Sequence, residues 1–465
     1  MITLPGRRPV ARVAQSPQAG GGVLSRQECQ NLVDKVLSFS HAEGCAINIG
    51  SSITGNVRFA ANQLSTSGGV EDAQLVVQSS FGPKHAVVTT NDFSDASVRR
   101  VVEESERLAH LAPDDPEALP ELPRQQYHPV DAWFESTANL APADRAHAAQ
   151  LALDEARHAN DLTAAGFLIT SANSTCVANK AGLFAYHKNT SSNYTLTVRT
   201  ADGTGSGWAA ADDQDFSRMD VRGVTQRAVD KARASKTPVA IEPGRYTVIM
   251  EPQAVGDLVQ LMIFYMGARE ADEGRSPFVK QEGGSKVGER IVDQRVNIYS
   301  DPADSQLLAQ PFDGEGLPLG RQDWVKDGVL QQLYYTRFWA QKSNKPATGF
   351  PSSVKMAGSD QSVDQLIAGT ERGVLVTRLW YLREVDPRTI LYTGLTRDGT
   401  FLVENGRISK AVRNFRFNDS PIFMLNNLDN LGRPQRLAGT EAGGDIVMPS
   451  VKAREFNFTS LSEAV

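Results

Sequence analysis

Pro243-Gly244-Arg245-Tyr246-Thr247-Val248-Ile249-Met250-Glu251-Pro252, with Leu258-Val259-Gln260-Leu261-Met262-Ile263-Phe264-Tyr265-Met266-Gly267 close behind it, decides how the chain divides. Tyr246 to Met250 is aromatic and β-branched between Gly and Pro punctuation, which predicts a strand. The apolar segment after it predicts a helix from Val255 to Gly267. Upstream, Val221, Val224, Ala228, Val229 and Ala232 recur at helical spacing and stop at Lys236-Thr237-Pro238. The change of pattern places a domain boundary near Pro238, giving domains 25–237 and 238–465. Beyond it only Val255–Gly267 and Val363–Ile367 read as helix, and short apolar runs punctuated by Gly, Asn and Asp predict a β-rich second domain. Leu258 to Met266, interrupted by Gln260, is the longest apolar run. It is far short of the roughly 20 residues that span a bilayer, so no membrane insertion is expected.

Working outward, Ser25-Arg26-Gln27-Glu28 has capping-box form and leads into Leu32, Val33, Val36 and Leu37, predicting a helix to about Phe39. Short strands are expected at Ala46–Ile49 and Val57–Ala60, and a hairpin at Leu75–Phe81 and His85–Thr90 across Gly82-Pro83-Lys84. Val98, Val101, Val102, Leu108, Ala109 and Ala112 mark a second amphipathic helix, with Asp92 or Ser94 as its cap. The proline-rich stretch Ala112 to Pro129 reads as a surface connection within the first domain. Residues 142–160 read as helix with Pro142 in the first turn, and Phe167–Ile169, Leu183–His187 and Tyr194–Thr200 as strands. Residues 1–24, with Arg7, Arg8 and Arg12 among prolines and glycines, read as a flexible tail rather than a secretory signal. The expected fold class is α+β: an N-terminal α/β domain and a β-rich C-terminal domain.

Composition removes several functions. The chain has 465 residues, 48 Lys+Arg against 54 Asp+Glu and a net charge of −6. No basic cluster exists outside the tail to neutralise phosphates, so nucleic acid is not an expected partner. Cys29, Cys45 and Cys176 form no C-x-x-C pair and suit a reducing cytoplasm, with Cys176 read as a buried structural thiol. All seven histidines, His41, His85, His110, His128, His147, His158 and His187, precede Pro238. A zinc site or Ser-His-Asp triad built from histidines of the second domain is therefore excluded. His147 and His158 share a helix face but stand about 16 Å apart along the axis, too far for one metal. Asp212, Asp213, Asp215 and Asp220 lack the spacing of an EF-hand loop and read as a solvated loop and helix cap. Gly203 to Gly207 reads as a turn, and Glu251, Glu270, Asp272 and Glu273 as surface charge.

From about residue 25 onward the order of segments resembles the TldD/PmbA family, the TldD/TldE metallopeptidase-type proteins. In the first domain the resemblance rests on Asn56-Val57-Arg58-Phe59-Ala60-Ala61-Asn62-Gln63, Thr89-Thr90-Asn91-Asp92 and Leu108-Ala109-His110-Leu111-Ala112-Pro113-Asp114-Asp115-Pro116. In the second it rests on Pro243 to Pro252, Gly274-Arg275-Ser276-Pro277-Phe278, Phe312-Asp313-Gly314-Glu315-Gly316, Asp327-Gly328-Val329-Leu330, Ala347-Thr348-Gly349 and Gly399 to Gly406.

The catalytic branch of that family carries a His-Glu-x-x-x-His helix after the strand that Val248–Met250 resembles, and a cysteine near the C-terminus. Here the helix has neither imidazole nor carboxylate between Leu258 and Gly267, and Gly439-Thr440-Glu441-Ala442-Gly443-Gly444 has no cysteine. The resemblance thus implies the PmbA/TldE-like branch. That branch is the non-catalytic, metal-free subunit of a heterodimer whose TldD-like HExxxH partner supplies the zinc and processes or degrades extended or unfolded peptides. No catalytic or metal residue is assigned in this chain, and no cofactor. Tyr334, Tyr335, Arg337, Thr348 and Gly349 are the candidate substrate-binding residues. The alternative is a homodimeric peptide-binding scaffold without protease activity.

Overall fold

The computed structural model describes residues 22–462 apart from 160, 440 and 442. Most of the expected tail lies outside the described residues. The part that is described is anchored: Leu24 is buried, its N–H donates to Ser51 Oγ at 2.8 Å, and its carbonyl accepts from the Tyr186 hydroxyl at 2.9 Å. An apolar side chain just before a helix cap packs more favourably against Cys29 and Ile49 than in water, which overrides the glycine-rich lead-in.

The first half of the chain contains α1 (Arg26–Phe39), β1 (Gly44–Ala60), β2 (Gln63–Phe81), β3 (Lys84–Thr90), α2 (Asp95–Leu111), α3 (Glu135–Ala138), α4 (Pro142–His158), β4 (Leu162–Asn179), β5 (Phe184–Thr200), β6 (Ser206–Asp213) and α5 (Val221–Ala234). The capping box at Ser25 forms as read, and Ser94, not Asp92, caps α2. A 6-stranded antiparallel sheet runs β3-β2-β1-β4-β5-β6. One correction concerns strand length. Ala46–Ile49 and Val57–Ala60 lie in a single strand, and of the expected strands Leu183–His187 and Tyr194–Thr200 all but Leu183 likewise belong to β5. Their polar middles are not loops, because β2 and β4 pair the middle of β1 on both sides and β4 pairs that of β5; Ser51 to Ser174 and Thr54 to Ser171 hydroxyl bonds cross the sheet at 2.8 and 3.1 Å. Apolar clusters at the two ends of one face seat α1 and α2, and α4 and α5, respectively.

The second half contains β7 (Gly244–Met250), α6 (Pro252–Phe264), α7 (Ala268–Asp272), β8 (Ile298–Ser300), β9 (Gln322–Lys326), β10 (Val329–Leu330), α8 (Arg337–Ser343), β11 (Val354–Met356), α9 (Val363–Ala368), β12 (Arg372–Asp386), β13 (Leu391–Glu404), β14 (Arg407–Ala411), β15 (Phe415–Asp419), α10 (Pro421–Asn426), β16 (Leu428–Ala438) and β17 (Gly443–Leu461). They form an 11-stranded sheet in which β7 pairs in parallel with β12 and antiparallel with β17. The ring β7-β12-β13-β15-β17 therefore closes on itself and leaves no open edge there. The architecture is α+β with a β-rich second half.

Helices α7, α8 and α10 were not expected from the sequence. Each spans two turns or fewer, too short to show a periodic apolar face, and α8 is held by local capping: Thr336 Oγ1 accepts from Trp339 N at 3.3 Å, and Asn344 ends it at φ 53°. Helix α6 ends at Phe264 rather than Gly267, closed by Tyr265 N to Met262 O at 3.2 Å.

The two halves are tied together by polar contacts. Arg436 Nε meets Asp212 Oδ1 at 2.8 Å, Ser206 Oγ donates to Asp398 Oδ1 at 2.6 Å, and Lys231 Nζ pairs with the Glu251 carboxylate at 2.7 Å. The proline-rich connection also reaches across, with Tyr127 Oη donating to Gly316 O at 2.8 Å.

The seat of α5 on β6 gives a test. A Cβ at Gly207 would run into Ala228 O and Ala232 N, backbone atoms that cannot swing aside. Gly207→Ala is expected to lower stability by about 1–3 kcal/mol in urea unfolding. Gly50→Ala, where a Cβ meets nothing within 4 Å, is expected to be neutral or slightly stabilising.

Candidate functional site

Helix α6 is apolar almost all round and buried at every residue except Leu261 and Phe264. It packs against β12, β16 and β17 at the centre of the second half. Its polar side chains Gln253, Asp257 and Gln260 fall at i, i+4 and i+7 and so share one stripe. Gln253 Nε2 donates to Asp257 Oδ1 at 2.8 Å while its Oε1 accepts from Gly439 N at 2.9 Å. Leu379 N donates to Asp257 Oδ2 at 3.1 Å, and Gln260 Nε2 donates to Glu441 O at 2.5 Å. The stripe thus fastens the helix to Gly439 and Glu441, at the start of the C-terminal stretch that carries no cysteine.

Asp257 lies one residue upstream of the Leu258–Gly267 segment, which has no carboxylate of its own. The available signal was an acid set between two glutamines in an otherwise apolar helix. It is fully buried, and desolvation pushes its pKa up to about 7, opposed by bonds from Gln253 and Leu379 and by the charge of Arg378. Arg378 is bound elsewhere, with Nε 2.9 Å from Asp398 Oδ2.

These residues do not fit a zinc centre. The stripe offers two neutral amides and one carboxylate, all occupied by hydrogen bonds, where a catalytic zinc takes three imidazole, thiolate or carboxylate donors. Among the described residues no group of His, Cys, Asp or Glu is placed to hold a metal ion.

The candidate substrate residues occupy a turn beside the end of α6. Tyr334 N donates to Met266 O at 2.8 Å and its carbonyl accepts from Ala268 N at 3.0 Å. Tyr335 N donates to Thr348 Oγ1 at 2.8 Å, while Tyr335 O accepts from Thr348 N and Gly349 N at 3.1 and 3.3 Å. Four of the five are therefore brought together through backbone bonds, and Thr348 is buried. Arg337 faces another way, pairing with Glu315 at 2.7 Å and donating to Pro120 O at 2.6 Å. Missed in the sequence were Phe264 and Phe350, stacked at 6.1 Å and 57% and 41% exposed, with the Tyr334 ring edge-on to Phe350 at 5.2 Å. This aromatic patch is the solvent-facing end of α6.

The remaining acids have structural partners. Asp220 caps α5 as read, but Asp215, which accepts from Ser217, is buried, and the Asp212 side chain is closed off against Arg436, so neither is solvated. Asp272 accepts from Trp339 Nε1 at 2.7 Å and Glu273 pairs with Arg269 at 3.1 Å. A cleft of about 840 Å³ lies between α5 and the second sheet, and its walls include the ion pairs Lys231–Glu251 and Arg436–Asp212 that join the halves.

Two family descriptions match the chain: the PmbA/TldA metallopeptidase central domain over residues 135–236 and the PmbA/TldA metallopeptidase C-terminal domain over residues 243–460. A metalloprotease of Methanothermobacter thermautotrophicus is 26% identical over 259 residues, 51% of this chain and 53% of its own length. The metalloprotease PmbA of Escherichia coli O157:H7 is 27% identical over 172 residues, 36% of this chain and 37% of its own. The chain thus spans about half the length of the first relative and less of the second. The crystal structure of TldE from Thermococcus kodakarensis superposes with a TM-score of 0.82 at 17% identity, covering 92% of this chain and 99% of that one, and shares its fold.

Asp257 gives the site a pH signature. Its folded pKa, about 7, lies above the ordinary 3.8, so the unfolded chain releases this proton first. Stability contributed at Asp257 is retained below pH 4, is lost as pH rises toward 7, and is constant above that. The wild-type advantage over Asp257→Asn is expected to shrink across this window by up to roughly 4 kcal/mol, from about three pKa units at 1.36 kcal/mol each. Paired urea melts at pH 5 and pH 8 check it; an advantage that grows with pH contradicts it.

Proposed function

Because the chain belongs to the TldD/PmbA metallopeptidase family, we propose that it is the metal-free subunit of a two-chain metallopeptidase whose zinc is carried by a TldD-like partner with a His-Glu-x-x-x-His helix. The observation that carries this reading is α6: after the strand that resembles the one preceding the metal-binding helix of that branch comes a helix whose Gln253, Asp257 and Gln260 are spent on bonds to one another, to Gly439 and to Glu441. A helix locked in this way serves a partner as a rigid wall. Without three suitable donors it has no means of activating water.

The substrate class we assign is an extended or unfolded peptide. The exposed rings of Phe264 and Phe350 beside Tyr334 support a surface at the end of α6 that faces the partner or the peptide. Of the candidate substrate residues, Tyr334 is the one with a ring in that patch; Tyr335, Thr348 and Gly349 shape the turn beneath it, and Arg337 braces Glu315. We also propose the division into 25–237 and 238–465, supported by the change of sheet between Asp213 and Gly244, and a cytoplasmic setting, supported by three free buried thiols. No described helix is long and apolar enough to cross a membrane.

Mixing the purified chain with a family member that carries the His-Glu-x-x-x-His helix is the test. A stable mixed complex is expected, with hydrolysis of an unfolded peptide by the mixture and none by this chain alone. Partner-free cleavage refutes the reading. A self-dimer that binds peptide and gains no hydrolysis from the partner refutes it in favour of the scaffold.

A further inference from the structure

Arg145 is a cation held inside the first half of the chain with no ion-pair partner among the described residues. It lies in the first turn of α4, is 7% exposed, and rests flat on Gly55, where an added Cβ would collide with the guanidinium carbon and both terminal nitrogens. Its Nη1 donates to Leu140 O at 2.7 Å and to Thr170 Oγ1 at 3.2 Å. Its Nε is buried and has no partner among the described residues. The neighbouring acid, Asp144, is exposed and accepts from Ala141 N at 3.3 Å. A buried charge is retained where something pairs with it, and the helix N-terminus adds further positive potential at this point.

A pocket of about 360 Å³ opens beside Arg145, its walls including Ile53, Val70, Thr137, Thr170 and Glu71. With Nη1 committed and Nε sealed from solvent, Nη2 is the guanidinium donor left for a ligand in the pocket. One such N–H makes a charge-assisted hydrogen bond to a carboxylate oxygen, and the buried positive charge behind it strengthens that bond. With one cation, Arg145, and one acid, Glu71, in its lining, the pocket suits a single negative charge better than a dianionic phosphate, and Ile53 and Val70 offer apolar contact to what carries it.

We propose that this pocket is a binding site for a carboxylate carried on a small aliphatic group. A peptide's C-terminal residue and a free short-chain acid share that chemistry. The site stands on Arg145 and its pocket alone and holds whether or not the chain is a peptidase subunit.

Titration calorimetry on the full chain tests it with isovalerate, N-acetyl-leucine, N-acetyl-leucinamide and inorganic phosphate. At least one of the two acids is expected to bind and the amide not to. Equal binding of the two acids assigns the site to free acids, and tighter N-acetyl-leucine assigns it to a peptide end. Arg145→Gln is expected to weaken the acid at least tenfold, and Glu71→Gln, which removes a competing charge at an exposed position, to tighten it several-fold. The proposal fails if neither acid binds in the millimolar range, if amide or phosphate binds as well as the acid, or if folded Arg145→Gln binds it unchanged. Should Arg145→Gln not fold, Glu71→Gln decides: unchanged affinity overturns the assignment.

Discussion

Burying a helix on every side leaves its polar side chains only the surrounding protein to bond with, and the second half of the chain is organised around that constraint at α6. Each unsatisfied polar group there would cost about 1–3 kcal/mol. Gln253, Asp257 and Gln260 avoid the cost by bonding one another, the backbone of Leu379, and the backbone at Gly439 and Glu441. The closed ring of strands follows from the same need, since β7 leads directly into α6 and must be paired on both sides for the helix to be enclosed. Lys231 then fixes Glu251, the residue capping α6, to the first half of the chain.

The chemistry available at α6 follows from how its donors are spent. A metal centre requires side chains held together yet still offering lone pairs to the ion. The stripe on α6 is held together, but its amides and carboxylate complete a hydrogen-bond network with fixed partners. The protonation of Asp257 near neutrality is a consequence of burial in that network, with Arg378 engaged by Asp398 rather than by Asp257. A rigid wall ending in exposed Phe264 and Phe350 is suited to contact with another chain.

Features with local causes were legible in the sequence. The Ser25 capping box, the hairpin at Gly82 and the Pro142 helix start depend on residues within a few positions of one another, and each was read correctly. Strand length was not legible, because Gly50 to Asn56 is polar and belongs to β1 only when β2 and β4 flank it. Asp257 and Arg145 were missed for the same reason. What makes them unusual is their setting against Leu379 for Asp257 and against Gly55 and Thr170 for Arg145, none of which is near them in sequence. The resemblance to a known family supplied the link between α6 and metal chemistry, which periodicity and spacing alone do not contain.

The central claim is that α6 is a structural counterpart of a metal-binding helix and that zinc belongs to a different chain. Metal analysis of the assembled complex and of each separated subunit tests this most directly. The account predicts stoichiometric zinc in the complex, retained by the His-Glu-x-x-x-His subunit and absent from this chain after separation. Stoichiometric zinc bound by this chain alone, and lost on substituting Asp257, would contradict it.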